Sequence, residues 1–144
     1  MQFGLFLSVK IRFFDSYKKG ILYEVFSIIY LKLRGFKILA WRYKTPVGEI
    51  DIIAFKKNTV FAFEVKYRKE MESCAWVVAD LVQQKRIEKA LSWFLNSKEA
   101  ENKLSYYHLS KNRKSLSNNS YINKLNPKIE YIFWYKAFRM YRIC

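Results

Sequence analysis

The chain has 144 residues, 51% of them hydrophobic and 19% aromatic, and its 27 Lys and Arg against 12 Asp and Glu leave a formal charge of +15. That length carries one domain with a sizeable core and excludes two comfortable ones, while the apolar content excludes a disordered chain. A positive field of this size exceeds what solubility needs and recruits polyanions, so nucleic acid is the expected partner; a generally basic proteome is the bland alternative.

Residues 1–15, opening MQFGLFLSVKIRFF, are apolar. No basic residue precedes the short apolar run, Lys10 and Arg12 interrupt it, and no small-residue cleavage site follows, so an arm docked on the domain is expected and not an export signal. No stretch reaches the roughly 20 apolar residues of a membrane-spanning helix, and no amphipathic helix has a mostly Lys and Arg polar face, which argues against a membrane partner. Cys74 and Cys144 lack metal-type spacing and fit a reducing cytoplasm. A monomer or a small oligomer such as a homodimer suits this size.

From Ser16 to Arg34, Leu22, Phe26, Ile29 and Leu33 recur at helical spacing, and Gly35 sits where a left-handed C-cap belongs. FKILAWRY (36–43) is rich in strand formers and KTPVG breaks it; two more strands follow at 49–55 and 60–67. Between Val77 and Asn96, Leu81, Ile87, Ala90, Leu91, Phe94 and Leu95 predict a second helix, with Lys85, Arg86 and Lys89 toward its other side. Leu104–Leu109 reads as a short strand. The Asn-, Ser- and Lys-rich stretch 111–128 reads as a long mobile surface loop, and IEYIFWYKAF (129–138) as the last strand. The order predicts one α/β domain over residues 1–144, a mixed sheet flanked by helices.

The strand pair GEIDIIAFKKNTVFAFEVKYR (48–68) carries the chemistry. Side chains alternate across a strand, so Phe61, Phe63, Val65 and Tyr67 form a core face, and Val60, Ala62, Glu64, Lys66 and Arg68 the other, which begins apolar and ends charged. On the preceding strand Ile50, Ile52 and Ala54 make the core parity and leave Glu49 and Asp51 opposite. A two-residue turn at Lys57-Asn58 pairs Lys56 with Thr59 and, counted outward, sets Asp51 across from Glu64. Carboxylates so placed have Cβ atoms about 4.5–5.5 Å apart and repel. A divalent ion held by both offsets that repulsion, and Mg²⁺, bound through one or two carboxylates and waters, suits the pair. Lys66 then points at the same spot; pairing with Glu64 or Asp51 on a solvated face is its bland reading. Glu49 lies nearer the strand's start and reads as a structural neighbour.

GEIDIIA followed by FAFEVKYR resembles the signature of the small bacterial YraN-like family, uncharacterised proteins assigned by similarity to the PD-(D/E)XK nuclease superfamily. The resemblance runs from Gly20 to Leu95 and resumes at IEYIFWYKAF. It implies a restriction-endonuclease-like αβββαβ core, metal binding by Asp51 and Glu64 with Mg²⁺ or Mn²⁺, and catalysis by Lys66. Glu24 matches the acid of the family's first helix, where Holliday-junction resolvases also place one, and Lys85 matches a basic position on the second. The sequence departs from the pattern at Tyr23 and Ser27 around the first acid. Trp41-Arg42 stands where an Arg-Asn pair is expected, and YYHLS where a late strand often carries an Asp.

Metal-assisted phosphodiester hydrolysis is therefore the expected activity, with Glu24, Asp51, Glu64 and Lys66 as catalytic residues and Arg42, Arg68, Lys85, Arg86 and Lys89 as backbone contacts. No residue reads a base edge, so substrate shape is expected to matter more than sequence. Two bland readings stand beside these: Glu24 as a helix-terminal acid, and the second-helix cations as a solvated face. A non-catalytic nucleic-acid binder of the same fold, or a basic scaffold for ribosomes or an acidic protein, are the competing functions.

Overall fold

The structure, a computed structural model, describes residues 3–68, 76–109, 125–135 and 140–143. In chain order come helix α1 (Phe3–Leu33), strands β1 (Lys37–Thr45), β2 (Gly48–Lys56) and β3 (Thr59–Arg68), helices α2 (Trp76–Leu95) and α3 (Lys98–Leu109), then strands β4 (Asn126–Tyr135) and β5 (Met140–Ile143). The expected αβββαβ core is present, with α3 and β5 added to it. The five strands lie in the order β1-β2-β3-β4-β5. Neighbours run antiparallel except β3 and β4, which are parallel. A parallel pair needs a crossover, and the segment holding α2 and α3 supplies it.

Local chemistry sets the joints. Gly35, at φ 79, ends α1: its N–H donates to Lys32 O (2.9 Å) and the Phe36 N–H to Leu31 O (3.0 Å), the paired bonds of a left-handed helix stop. At the hairpin, Lys57 (φ 46) and Asn58 (φ 65) are both left-handed, the turn whose twist matches that of the strands. Lys56 pairs with Thr59 and the register runs back to Ile52 and Phe63, as counted from the sequence.

Both sheet faces are buried, where one had been expected. Ile52, Ala54, Phe61, Phe63 and Ile132 pack with Leu31 and Phe36 on the α1 side. Ile53, Val60 and Ala62 pack with Ile87, Ala90, Leu91 and Phe94 of α2 and Ala100 and Leu104 of α3. The apolar runs Ile52–Ala54 and Val60–Phe63 supply both parities, as strands covered by helices on each side do. Asp51, Glu64 and Lys66 thus share the parity of Ile53, Val60 and Ala62 and end the α2 face.

Three expectations change. Residues 3–15, read as an arm, continue α1. Leu104–Leu109 is helical, part of α3: Ser97 Oγ accepts the Ala100 N–H (3.2 Å) as an N-cap, Glu99 and Glu101 lie in the first turn, where they favour the helix dipole, and Ala100 and Leu104 turn inward one helical turn apart. The last strand starts at Asn126, so residues 126–128 of the predicted loop belong to β4, while 110–124 lie outside the described residues. Among the described residues no helix is long and apolar enough to cross a membrane.

Lys57 has no side-chain reason to sit in the left-handed region, which Asn tolerates better. Lys57→Asn should therefore raise stability by about 0.5–1 kcal/mol; a lowered urea midpoint would contradict the turn that sets the register.

Candidate functional site

The sheet forks at one end. Strand β2 stays paired with β1 down to Gly48 but with β3 only as far as Ile52 and Phe63, while β3 stays paired with β4 through Arg68. One step past the last pair stand Asp51 and Glu64, in the register read from the turn. The Val65 N–H, which a continued ladder would give to a strand carbonyl, donates instead to Asp51 Oδ2 (2.8 Å). The carboxylate so ends the ladder and satisfies the amide that the divergence would orphan.

Into the fork opens a cleft of about 540 Å³, lined by Glu49 and Asp51 from one branch, Glu64 from the other, Arg42, and Val82, Gln83, Arg86 and Ile87 of α2. Gln83 was not foreseen from the sequence. Its Nε2 donates to Glu64 Oε1 (2.5 Å) and its Oε1 accepts from Lys66 Nζ (2.6 Å), so one carboxamide joins the acid and the cation of the Glu-x-Lys pair. The signal was available: Gln83 precedes Ile87, Ala90 and Phe94 on the buried stripe of α2, an odd place for a polar side chain. Lys66 also lies over the Tyr131 ring, 5.3 Å from its centroid, and reaches the cleft through Gln83.

The remaining predicted residues divide. Glu24 is nearly buried on α1 but turns to β1, accepting from Trp41 Nε1 (2.8 Å) and lying 3.8 Å from Arg42 Nε; it does not line the cleft. Arg42 does, yet its guanidinium is engaged, donating to Glu49 Oε1 (3.2 Å) and to Tyr17 Oη (2.9 Å). Its backbone sits at φ 51, a costly conformation for Arg that Asn bears more easily, and Asn is the residue the YraN-like pattern places here. Arg86 lines the cleft, whereas Lys85 and Lys89 are exposed beside it. Arg68 closes β3, and its side chain lies outside those described.

Asp51 bears the electrostatic cost of this arrangement. Burial pushes its carboxyl up to about 6, against the opposing pull of the Val65 N–H, and Glu24 and Glu49 raise it further while Arg42 lowers it. The acids that raise Asp51 are Glu24 and Glu49, not Glu64, whose carboxylate accepts from Gln83 across the same cleft. The donor set is hard oxygen, which suits Mg²⁺ or Mn²⁺ over zinc or copper. Among the described residues no three His, Cys, Asp or Glu side chains gather as a ready-made metal cluster, so an ion held by Asp51 and Glu64 would take its other ligands from water and substrate, as Mg²⁺ commonly does.

The profile of the uncharacterised protein family UPF0102 matches residues 23–117, a span that includes the fork, the Glu-x-Lys pair and the α2 wall of the cleft. The chain belongs to UPF0102. A UPF0102 protein of Rhodopseudomonas palustris strain BisA53 is 36% identical over 84 residues, 58% of this chain and 65% of its own length. One from Bradyrhizobium diazoefficiens is 40% identical over 78 residues, covering 54% and 59%, and one from Nitrobacter winogradskyi is 35% identical over 86 residues, covering 60% and 73%. The chain thus spans less than two thirds of the length of the first two relatives. The bacterial family expected from GEIDIIA and FAFEVKYR is shown; no activity comes with its name.

For this UPF0102 chain the shifted Asp51 makes a pH prediction. In the unfolded chain the group titrates near 3.8 and in the fold near 6, so the folded state binds the extra proton in between, and stability falls as pH rises through that window. Asp51→Asn keeps an acceptor for Val65 N–H and removes the charge. In chelator it should be the more stable protein above pH 7, by on the order of 3 kcal/mol at about 1.4 kcal/mol per pKa unit, and lose that advantage below pH 4. Thermal melts across pH decide; a variant less stable at pH 8 would contradict the assignment.

Proposed function

We propose that this chain is a metal-dependent phosphodiester hydrolase acting on nucleic acid, DNA before RNA, and selecting substrate by shape. The observation that carries the reading is the meeting of Asp51 and Glu64, from the two branches of the fork, in one cleft, with Gln83 linking Glu64 to Lys66. The resemblance to PD-(D/E)XK nucleases implies the same roles for Asp51, Glu64 and Lys66, and the +15 charge supplies the attraction for a polyanion.

A divalent ion bound between Asp51 and Glu64 would polarise a phosphate oxygen and acidify a bound water. The protein's own groups do the rest. Val65 N–H holds the Asp51 carboxylate against the strand edge, on the cleft that Glu64 also lines. Gln83 holds Glu64 and Lys66 with opposite ends of one carboxamide, and the Lys66 ammonium is thereby kept on the cleft side of β3 to meet negative charge as it develops on the phosphate. Arg86 on the facing wall grips the backbone, and Lys85 and Lys89 extend that grip. Glu24 acts through Arg42 and Asp51 and not as a ligand: it anchors Trp41 and raises the Asp51 carboxyl.

Linear, flapped and four-way-junction DNA incubated with Mg²⁺ or Mn²⁺ should be cut, and Lys66→Ala should slow that cutting by about 10²–10³-fold with the fold intact, the loss typical of one preorganised group. Unchanged cleavage by Lys66→Ala would remove the residue from the mechanism.

Five or six neutralised phosphates would make log affinity for duplex DNA fall with log salt at a slope of about −5, and Lys85→Ala should flatten it by about one. A slope near zero would remove nucleic acid as the substrate.

A further inference from the structure

Helix α2 carries an exposed stripe that runs out of the cleft to a side chain the cleft does not use, Trp93. Val82, Arg86, Lys89 and Trp93 follow at intervals of four, three and four residues, which sets them on one stripe of the helix, and Lys85 flanks Arg86 at its edge. All five are exposed, Trp93 at 54% and Val82 at 61%. The stripe begins in the cleft, where Val82 and Arg86 line the wall, and Trp93 lies about 10 Å farther along the axis at 1.5 Å per residue. Packing does not require an indole there, because α2 meets the sheet through Ile87, Ala90, Leu91 and Phe94. The stripe holds three cations and no acid; Glu88, the nearest in sequence, is bonded to Gln84 on the other flank.

We propose that this stripe is a track for single-stranded nucleic acid, with Lys85, Arg86 and Lys89 on its phosphates and Trp93 stacked on an unpaired base. The proposal rests on the reading of the cleft as a nucleic-acid site and adds that the preferred substrate carries an unpaired strand, as a flap, fork or gap does. Two features separate a single strand from a duplex here. An exposed indole gains from a base face only where that face is not already stacked on another base. And at about 3.4 Å per nucleotide of a stacked strand, the distance from Arg86 to Trp93 holds about three nucleotides, enough for phosphates at one end and a base at the other.

The test uses the full chain in chelator, so that nothing is cut, with a labelled oligothymidylate of about 12 nucleotides, within the usual site size, and a duplex of equal length. Trp93→Ala should weaken oligothymidylate binding roughly 5- to 150-fold, the equivalent of the 1–3 kcal/mol of one base–aromatic stack, and shift duplex affinity by less than about twofold. Trp93→Phe, which keeps an aromatic face, should retain most of the affinity. Trp93→Ala that binds the single strand like the wild type, or loses equally on both probes, overturns the track while leaving the cleft reading intact. Trp93-dependent binding by a chain that cuts nothing in Mg²⁺ supports the track and overturns the hydrolytic reading. Wild-type protein that binds neither probe overturns both.

Discussion

One hydrogen bond, from the Val65 N–H to the Asp51 carboxylate, organises the forked end of the sheet. Beyond Ile52 and Phe63 the second and third strands no longer share a ladder, yet each keeps its outer partner. A strand edge opened in this way leaves an amide without a carbonyl, which is costly when water is partly excluded. An aspartate at this register position removes the cost with its side chain and thereby becomes fixed at the mouth of the cleft. The residue that ends the β2–β3 ladder is the one that the proposed site would offer to a cation, so in that proposal fold and chemistry are tied at Asp51.

The arrangement is kept at some expense. Asp51 stands near Glu24 and Glu49, and its carboxyl is driven up by burial first and by those acids after. Arg42 is held at φ 51 with its guanidinium shared between Glu49 and Tyr17. Strained backbone and repelling acids gather in one place at the fork, and that combination motivates the proposal that it is a site. The buried faces of the sheet absorb that expense: Ile52, Ile53, Ala54, Val60, Ala62 and Phe63 are fully buried between α1 on one side and α2 with α3 on the other. A two-sided core ending in a fork gives a cleft whose walls come from four elements, β1, β2, β3 and α2.

Much of this could be read in the residues. Lys57-Asn58 set the register by its turn chemistry, Gly35 the end of the first helix, and strand parity placed Glu64 and Lys66 together. Other features were less legible. The 104–109 stretch reads as a strand, although Ser97 as a cap and Glu99 and Glu101 behind it mark a helix start; tertiary packing of Ala100 and Leu104 decides it. The second buried face of the hairpin was not foreseen because Val60 and Ala62, though read as the apolar start of the other face, were not given a helix to pack against, and α2 and α3 supply it. Gln83 escaped notice as a polar interruption of an apolar stripe, and only the fold shows that it reaches Glu64 and Lys66. Glu24 could be placed on its helix from sequence but not aimed, since its partner Trp41 sits 17 positions away and replaces the Arg of the family pattern.

The central claim is that the two carboxylates at the fork hold a divalent ion. Calorimetric titration of Mn²⁺ into the wild-type chain and into Glu64→Gln tests it without any assumption about substrate. The account predicts one ion per wild-type chain and loss of that binding in Glu64→Gln, whose carboxamide preserves shape but not charge. A Glu64→Gln chain that binds Mn²⁺ as the wild type does, or a wild-type chain that binds none, would contradict it.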